Sequence, residues 1–155
     1  MKNSFRLLKI LIIWFILGML YFTLEGIWRI PKGGYANIIM LPIGGLCGLL
    51  VGSINQLPRF YNMKVIHQSL VGAGLVTLVE FLSGCFLNLY LNLGIWDYSN
   101  LPCNLLGQVC LLFSFIWLMI MPLCIWIEDQ IRFVLFHEGY PYSLKSIYIE
   151  FITFT

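Results

Sequence analysis

Two long apolar runs separated by one short polar insert decide what this chain can become. The runs occupy residues 65–93 and 105–127, and the insert reads Trp96-Asp97-Tyr98-Ser99-Asn100-Leu101-Pro102-Cys103-Asn104. At about 1.5 Å per residue, each run is long enough as a helix to cross the roughly 30 Å hydrocarbon core of a bilayer. The first exceeds that length, so it must tilt, kink or project. Glu80 stands 15 residues into that run of 29, near mid-membrane.

The rest of the chain agrees with lipid as its solvent. Of 155 residues, 60% are hydrophobic and 10% charged, whereas a soluble domain carries about 25% charged residues. The length suits one membrane domain of a few helices and leaves nothing for a soluble catalytic domain. A net charge of +2 without a basic run gives no expectation of nucleic-acid binding. The five cysteines, Cys47, Cys85, Cys103, Cys110 and Cys124, form no CxxC pair and no Cys/His cluster, so neither a disulfide framework nor a metal site is expected. No cofactor is expected either. Lys2, Arg6 and Lys9 precede an apolar stretch over residues 10–22, as in a signal peptide. Thr23-Leu24-Glu25-Gly26 is a poor cleavage site, and the stretch reads as a retained first membrane helix.

The expected fold is all-α: a polytopic integral membrane bundle of four transmembrane helices with a short C-terminal amphipathic helix. Residues 1–138 are read as the transmembrane domain and residues 139–155 as a cytoplasmic or membrane-surface tail. The four segments fall at about residues 7–28, 35–54, 65–93 and 105–127. Pro31 with Gly33-Gly34 stops the first, and Asn55, Gln56 and Pro58 end the second. Pro122 is a possible kink in the fourth. Beyond it, residues 128–138 extend the helix until Gly139 and Pro141 break it. Ser143 is placed to cap a helix whose apolar residues Leu144, Ile147, Tyr148, Phe151 and Ile152 share a face. That face predicts a helix lying on the membrane surface, with docking to a cytoplasmic partner as the alternative.

Orientation follows from Lys and Arg. Lys2, Arg6, Lys9, Arg59, Lys64, Arg132 and Lys145 fall on one side; Arg29 and Lys32 fall on the other. Seven against two predicts a multi-pass protein of the cell membrane with both termini cytoplasmic and the polar insert outside.

Helices in lipid associate through small residues and interhelical polar contacts. Gly45, Gly48, Gly52 and Asn55 form one stripe on segment two. Ala73, Thr77, Glu80, Gly84 and Asn88 form one on segment three, and Gly107, Cys110, Ser114 and Trp117 one on segment four. These stripes are expected to face each other. An ionised carboxylate at mid-membrane costs several kcal/mol, so Glu80 must face the bundle and be protonated or paired. Thr77, Asn88, Asn104 and Gln108 are the polar neighbours within its expected reach. Glu80 is either neutral helix glue or a functional group, and the residues leave both open. Glu25 and Arg29, four apart, share a face and can pair. In the insert, Trp96 and Tyr98 suit the interface, Asp97 and Ser99 suit a turn, and Asn104 is a candidate cap for segment four. An ordinary capped loop and an external binding lip fit this insert alike. No catalytic constellation is expected, and without a Walker motif any ATP hydrolysis belongs to a partner.

The Glu25/Arg29 spacing, Pro42-Ile43-Gly44-Gly45, Glu80-Phe81 with Gly84 and Asn88, Trp96-Asp97-Tyr98-Ser99, Asn104 and Gly107-Gln108 together resemble the bacterial type IV ABC-transporter permease family, CmpB-like. The resemblance covers about residues 21–129. It implies an integral membrane permease of the bacterial inner membrane that moves a small solute or lipid with a separate ATPase. A chain this small would have to form a homo-oligomer or join another membrane subunit to line a pathway. Two other readings compete: a membrane scaffold or accessory subunit without transport of its own, and, ranked last, an intramembrane lipid enzyme using Glu80 or Asp97.

Overall fold

The computed structural model describes residues 2–57 and 63–154. Pro58 and Arg59, and the side chains of Lys2, Lys32 and Asn55, lie outside the described residues. Among the described residues there are five α-helices: α1 (Lys2–Arg29), α2 (Met40–Gln56), α3 (Val65–Gly84), α4 (Leu111–Phe136) and α5 (Leu144–Thr153). A two-stranded antiparallel ribbon of β1 (Asn104–Leu105) and β2 (Val109–Cys110) precedes α4. Leu-, Ile- and Phe-rich stretches without interior glycine clusters carry α1 and α4 past the bilayer thickness. Pro31 then tightens the chain after α1 into one 3-10 turn, closed by Gly33 N–H donating to Ile30 O at 3.0 Å.

Among the described residues, three helices are long and apolar enough to cross a membrane: Ser4–Arg29, Val65–Tyr90 and Leu111–Phe136. The second apolar segment is shorter than expected. Residues 35–39 are not helical, because Asn37 turns the chain: its Oδ1 accepts from Ile39 N–H at 3.0 Å. The 17 residues of α2 span only about 25 Å as a helix. The exposed side chains Leu24, Leu82 and Phe115, at 63%, 58% and 56% exposure, belong to the spanning helices. Apolar surface of that extent is what lipid covers.

Segment three also departs from expectation. It is α-helical only to Gly84 and continues as a π-helical stretch, Cys85–Tyr90, in which Leu91 N–H donates to Phe86 O at 3.0 Å. That wider winding ends the run before Leu93. The fourth helix begins at Leu111 rather than at Leu105, so Asn104 is no helix cap. Residues 104–110 instead fold into the ribbon, because the chain reverses at Leu106 (φ 52°) and Gly107 (φ 68°). Past Ile127 the helix runs on to Phe136, in line with the extension expected over residues 128–138 and two residues short of its end.

The segment-two glycines meet a different partner from the one expected. A Cβ at Gly45 would lie 2.6 Å from Trp14 O, and one at Gly48 2.6 Å from Leu17 Cδ1, so both lean on α1. Gly52 alone among these three reaches α4, against Glu128. The missing side chains let α1 and α2 form the most extensive helix pair in the molecule. Segments three and four do meet as expected, with Thr77 Oγ1 donating to Ser114 Oγ at 3.2 Å.

Both chain ends gather at one end of the bundle. Lys9 Nζ donates to Glu138 Oε1 at 2.6 Å. Ser143 caps α5, its Oγ accepting from Ser146 N–H at 3.1 Å. α5 lies against α3 and α4, burying Ile147 and Phe151 while Ile152 stays 69% exposed. Trp126 Nε1 donates to Tyr142 O at 2.9 Å, and Tyr142 Oη donates to Asp129 Oδ2 at 2.6 Å. The apolar stripe read in the tail therefore serves, in part, the chain's own bundle.

Gly48→Leu should destabilise the purified protein by about 1–3 kcal/mol through overpacking against Leu17. Gly74, where a Cβ meets nothing within 4 Å, is the control: Gly74→Ala should leave stability unchanged or raise it by about 0.5–1 kcal/mol. Thermal unfolding of both variants in detergent checks the pair, and an unchanged Gly48→Leu would place that face against lipid.

Candidate functional site

The α3 stripe turns Glu80 into the bundle, where it is 7% exposed. Its partners are not the expected ones. Tyr21 Oη of α1 donates to Oε1 at 3.1 Å, and Trp117 Nε1 of α4 donates to Oε2 at 3.0 Å. The two donor rings stack on each other, centroids 5.7 Å apart and planes 12° from parallel. Gly44 of α2 backs the Tyr21 ring, where an added Cβ would lie 2.9 Å from Cδ1. One carboxylate thus joins three helices, and a glycine of the fourth makes the room. Thr77, Asn88, Asn104 and Gln108 have other hydrogen bonds and do not reach it.

Beside this clasp lies a cleft of about 710 Å³, within the size range of small-molecule sites. Its walls come from one face of α1 and one face of α4, with Gly44, Cys47 and Gly48 of α2 and Val76 and Glu80 of α3 behind them. α1 and α4 touch each other sparsely. Leu20, Leu24 and Ile116 line the cleft while remaining 41%, 63% and 40% exposed, so it opens sideways between these helices, toward the bilayer. Glu25 and Arg29 form the expected i,i+4 ion pair on its α1 wall. Trp96, Asp97 and Tyr98 close one end. Of the expected site residues, Glu80, Glu25, Arg29, Trp96, Asp97 and Tyr98 therefore converge on one cavity.

Asn88, Asn104 and Gln108 do not line it. They build the cap that holds Trp96, Asp97 and Tyr98 in place. Asn88 Nδ2 donates to Trp96 O at 3.0 Å and to Gln108 Oε1 at 2.8 Å, while its Oδ1 accepts from Ile95 N–H at 2.7 Å. Trp96 Nε1 donates to Gln108 O at 2.9 Å. Asn104 Nδ2 donates to Leu101 O at 2.7 Å, and its Oδ1 accepts from Gly107 N–H at 3.0 Å. Tyr98 N–H donates to Gly107 O at 2.7 Å. Asp97 Oδ1 accepts from Ser99 N–H at 2.8 Å in a side-chain turn. Bonds from the Ser99 hydroxyl and N–H hold the Asp97 carboxyl below the usual carboxylate range. Burial, then the nearby Glu80 and Glu25, push the Tyr98 phenol above its ordinary range. Gly107 fits the reversal because its left-handed φ is costly for a side chain, and a Cβ there would lie 2.7 Å from Asp97 Oδ1.

Sequence reasoning missed Tyr21 and Trp28, and it placed Trp117 on the inward stripe of segment four without pairing it to Glu80. A signal was present: Tyr21, Glu25, Trp28 and Arg29 stand at i, i+4, i+7 and i+8, one face of α1. It also missed a second buried acid. Glu128 is 1% exposed, paired to Arg132 one turn on. Among the described residues, no three His, Cys, Asp or Glu side chains converge to hold a metal ion.

Three helices of spanning length around a laterally open apolar cleft define a helical membrane protein. Residues 12–154 match the family model described as "Putative ABC-transporter type IV", ABC_trans_CmpB, and the chain belongs to that family. It is thus a transporter-related membrane protein. No curated protein and no solved structure matches the chain.

Asn88→Leu removes three hydrogen bonds at once and leaves Ile95 N–H without its acceptor. Each polar group left buried and unpaired costs about 1–3 kcal/mol. The variant should loosen residues 95–110 before the helices melt. Limited proteolysis or amide exchange over the cap checks this; protection equal to the parent would mean that the network is dispensable.

Proposed function

We propose that the chain is the permease-like component of an ABC transporter of the cell membrane, moving a small solute or lipid with a separate ATPase. The observation that carries this reading is the cleft: an apolar groove of about 710 Å³, open sideways, with Glu80 on its inner wall. Membership of the type IV family supports it. A catalytic role is not part of the reading: both Glu80 oxygens are taken by aromatic donors. One chain offers a groove rather than a through-path, so transport would need a second copy or another membrane subunit. α2, too short for a straight crossing of an unthinned bilayer, would serve as the fourth span by local thinning.

A scaffold or accessory subunit is the second reading. What favours it is the cap, where Asn88, Asn104 and Gln108 are all spent on internal hydrogen bonds.

Purification from native membranes should recover a nucleotide-hydrolysing subunit with the chain. A stable complex with an unrelated membrane protein and no ATPase activity would favour the scaffold instead. Variants of Glu80 sharpen the test. In Glu80→Gln, Oε1 accepts from Trp117 N–H and Nε2 donates to the Tyr21 oxygen, because a hydroxyl both donates and accepts. That variant should reach the membrane normally and lose transport. Glu80→Leu leaves the Tyr21 hydroxyl and Trp117 N–H unpaired, at about 1–3 kcal/mol each, and should express poorly. Full activity of Glu80→Gln, measured by complementation beside membrane-fraction blots, would reduce Glu80 to helix glue.

Both termini are read as cytoplasmic and the cap as external. The described basic residues agree with one another: Lys9, Lys64, Arg132 and Lys145 fall at the chain-end side of the bundle and Arg29 at the cap side. Cys103, exposed in the cap, is a native reporter. With the other four cysteines replaced, it should react with an impermeant thiol reagent in intact cells. Labelling only after the membrane is broken would reverse the orientation.

A further inference from the structure

We infer that the cleft takes a lipophilic organic cation, a ligand whose positive charge is buried among apolar groups. The inference rests on the reading of the cleft as a solute site and adds the class of solute.

The charge of the walls carries it. Among the described residues, three acids line the cleft, Glu25, Glu80 and Asp97, against one basic side chain, Arg29. Arg29 is already paired to Glu25. An anionic ligand would have to break that pair while facing Glu80 and Asp97. A cation meets the reverse situation. Glu80 is held by two neutral donors, so among the described residues no countercharge bonds to it. The lining adds aromatic groups of the kind that attract cations through their faces: Tyr21, Trp28, Tyr98 and Trp117. A desolvated cleft strengthens this attraction.

The position of the opening decides the rest. Leu20, Leu24 and Ile116 frame it on the lipid-exposed side of α1 and α4. A ligand entering there comes from the hydrocarbon layer, so it must be apolar enough to partition.

The test uses two probes of equal shape and opposite charge, tetraphenylphosphonium and tetraphenylborate. The purified full-length protein in nanodiscs is titrated with each, following tryptophan fluorescence, since Trp28, Trp96 and Trp117 line the cleft. Tetraphenylphosphonium should quench saturably, and tetraphenylborate should give only the linear partitioning seen with empty nanodiscs. Glu80→Gln should weaken the cation by about tenfold or more, as expected for loss of one buried charge partner. If Glu80→Gln does not fold, Glu25→Gln at the rim should weaken the cation in the same direction. Saturable tetraphenylborate binding, as tight as the cation or tighter, overturns the charge preference and leaves the cleft as a solute site. Cation binding unaffected by either variant overturns the inference as well. If neither probe saturates, the solute-site reading falls together with it.

Discussion

Everything in this bundle is arranged around one carboxylate. Glu80 carries a polar group into a region where water is absent, and each of its oxygens must find a donor inside the protein. α1 supplies Tyr21 and α4 supplies Trp117, and the rings stack as they donate. Helices in lipid have no hydrophobic force to bring them together. A shared acceptor supplies register instead: shifting α1 or α4 by one turn would carry a donor about 5.4 Å away from its oxygen. Gly44, Gly45 and Gly48 then let α2 close on α1 behind the clasp. The cleft is what remains where α1 and α4 touch sparsely, at those two rings and again where Lys9 lies over Phe136.

The cap solves a related problem at one end. A chain leaving a helix at membrane depth exposes backbone groups that lipid cannot satisfy. Residues 91–110 answer with side chains as well as backbone. Asn88, near the end of segment three, takes one N–H and two acceptors in a single amide. Gln108 occupies the space that Gly84 leaves, where a Cβ would lie 2.6 Å from Gln108 Oε1. The cap is therefore seated on α3 through a glycine, and its position fixes where Trp96 and Tyr98 meet the cleft. Tyr98 is steadied further by Phe113, ring centroids 4.7 Å apart.

How much of this was legible follows from the physics of each signal. Hydropathy announces helices because the bilayer demands long apolar runs, and three of them are present at spanning length. The Glu25/Arg29 pair was legible because i,i+4 spacing fixes a shared helix face. The gathering of Trp96, Asp97, Asn104 and Gln108 was legible as a dense polar insert, but not its architecture. The ribbon depends on Leu106 in a left-handed conformation, which leucine does not advertise. Segment three ran through its π-helical end because Cys85-Phe86-Leu87 is as apolar as any helix interior. Tyr21 stayed hidden for the same reason: an aromatic inside an apolar run looks lipid-facing until a partner two helices on in sequence gives its polar tip a use, whereas Trp117 lay on the inward stripe read for segment four but was not paired there with Glu80.

The molecule holds a second buried acid, and the contrast between the two says which one can respond to a ligand. Glu128 is paired with Arg132 on its own helix and is pressed by Gly52 of α2. Its charge is matched by a permanent cation one turn away, so a visitor would have to compete with a guanidinium. The pair sits toward the end where Lys9 also meets Glu138, away from the cap. Glu80 has no such cation. Two neutral donors hold it, and they can serve a carboxylate or an amide in its place. A group held in position but not charge-matched can respond to a charge that arrives from outside at little structural cost. On the proposed reading, a cation in the cleft would stand beside Glu80, having entered through the lateral opening. Of the two acids, the locked one belongs to the fold, and the unmatched one is the group on which the proposed solute site rests.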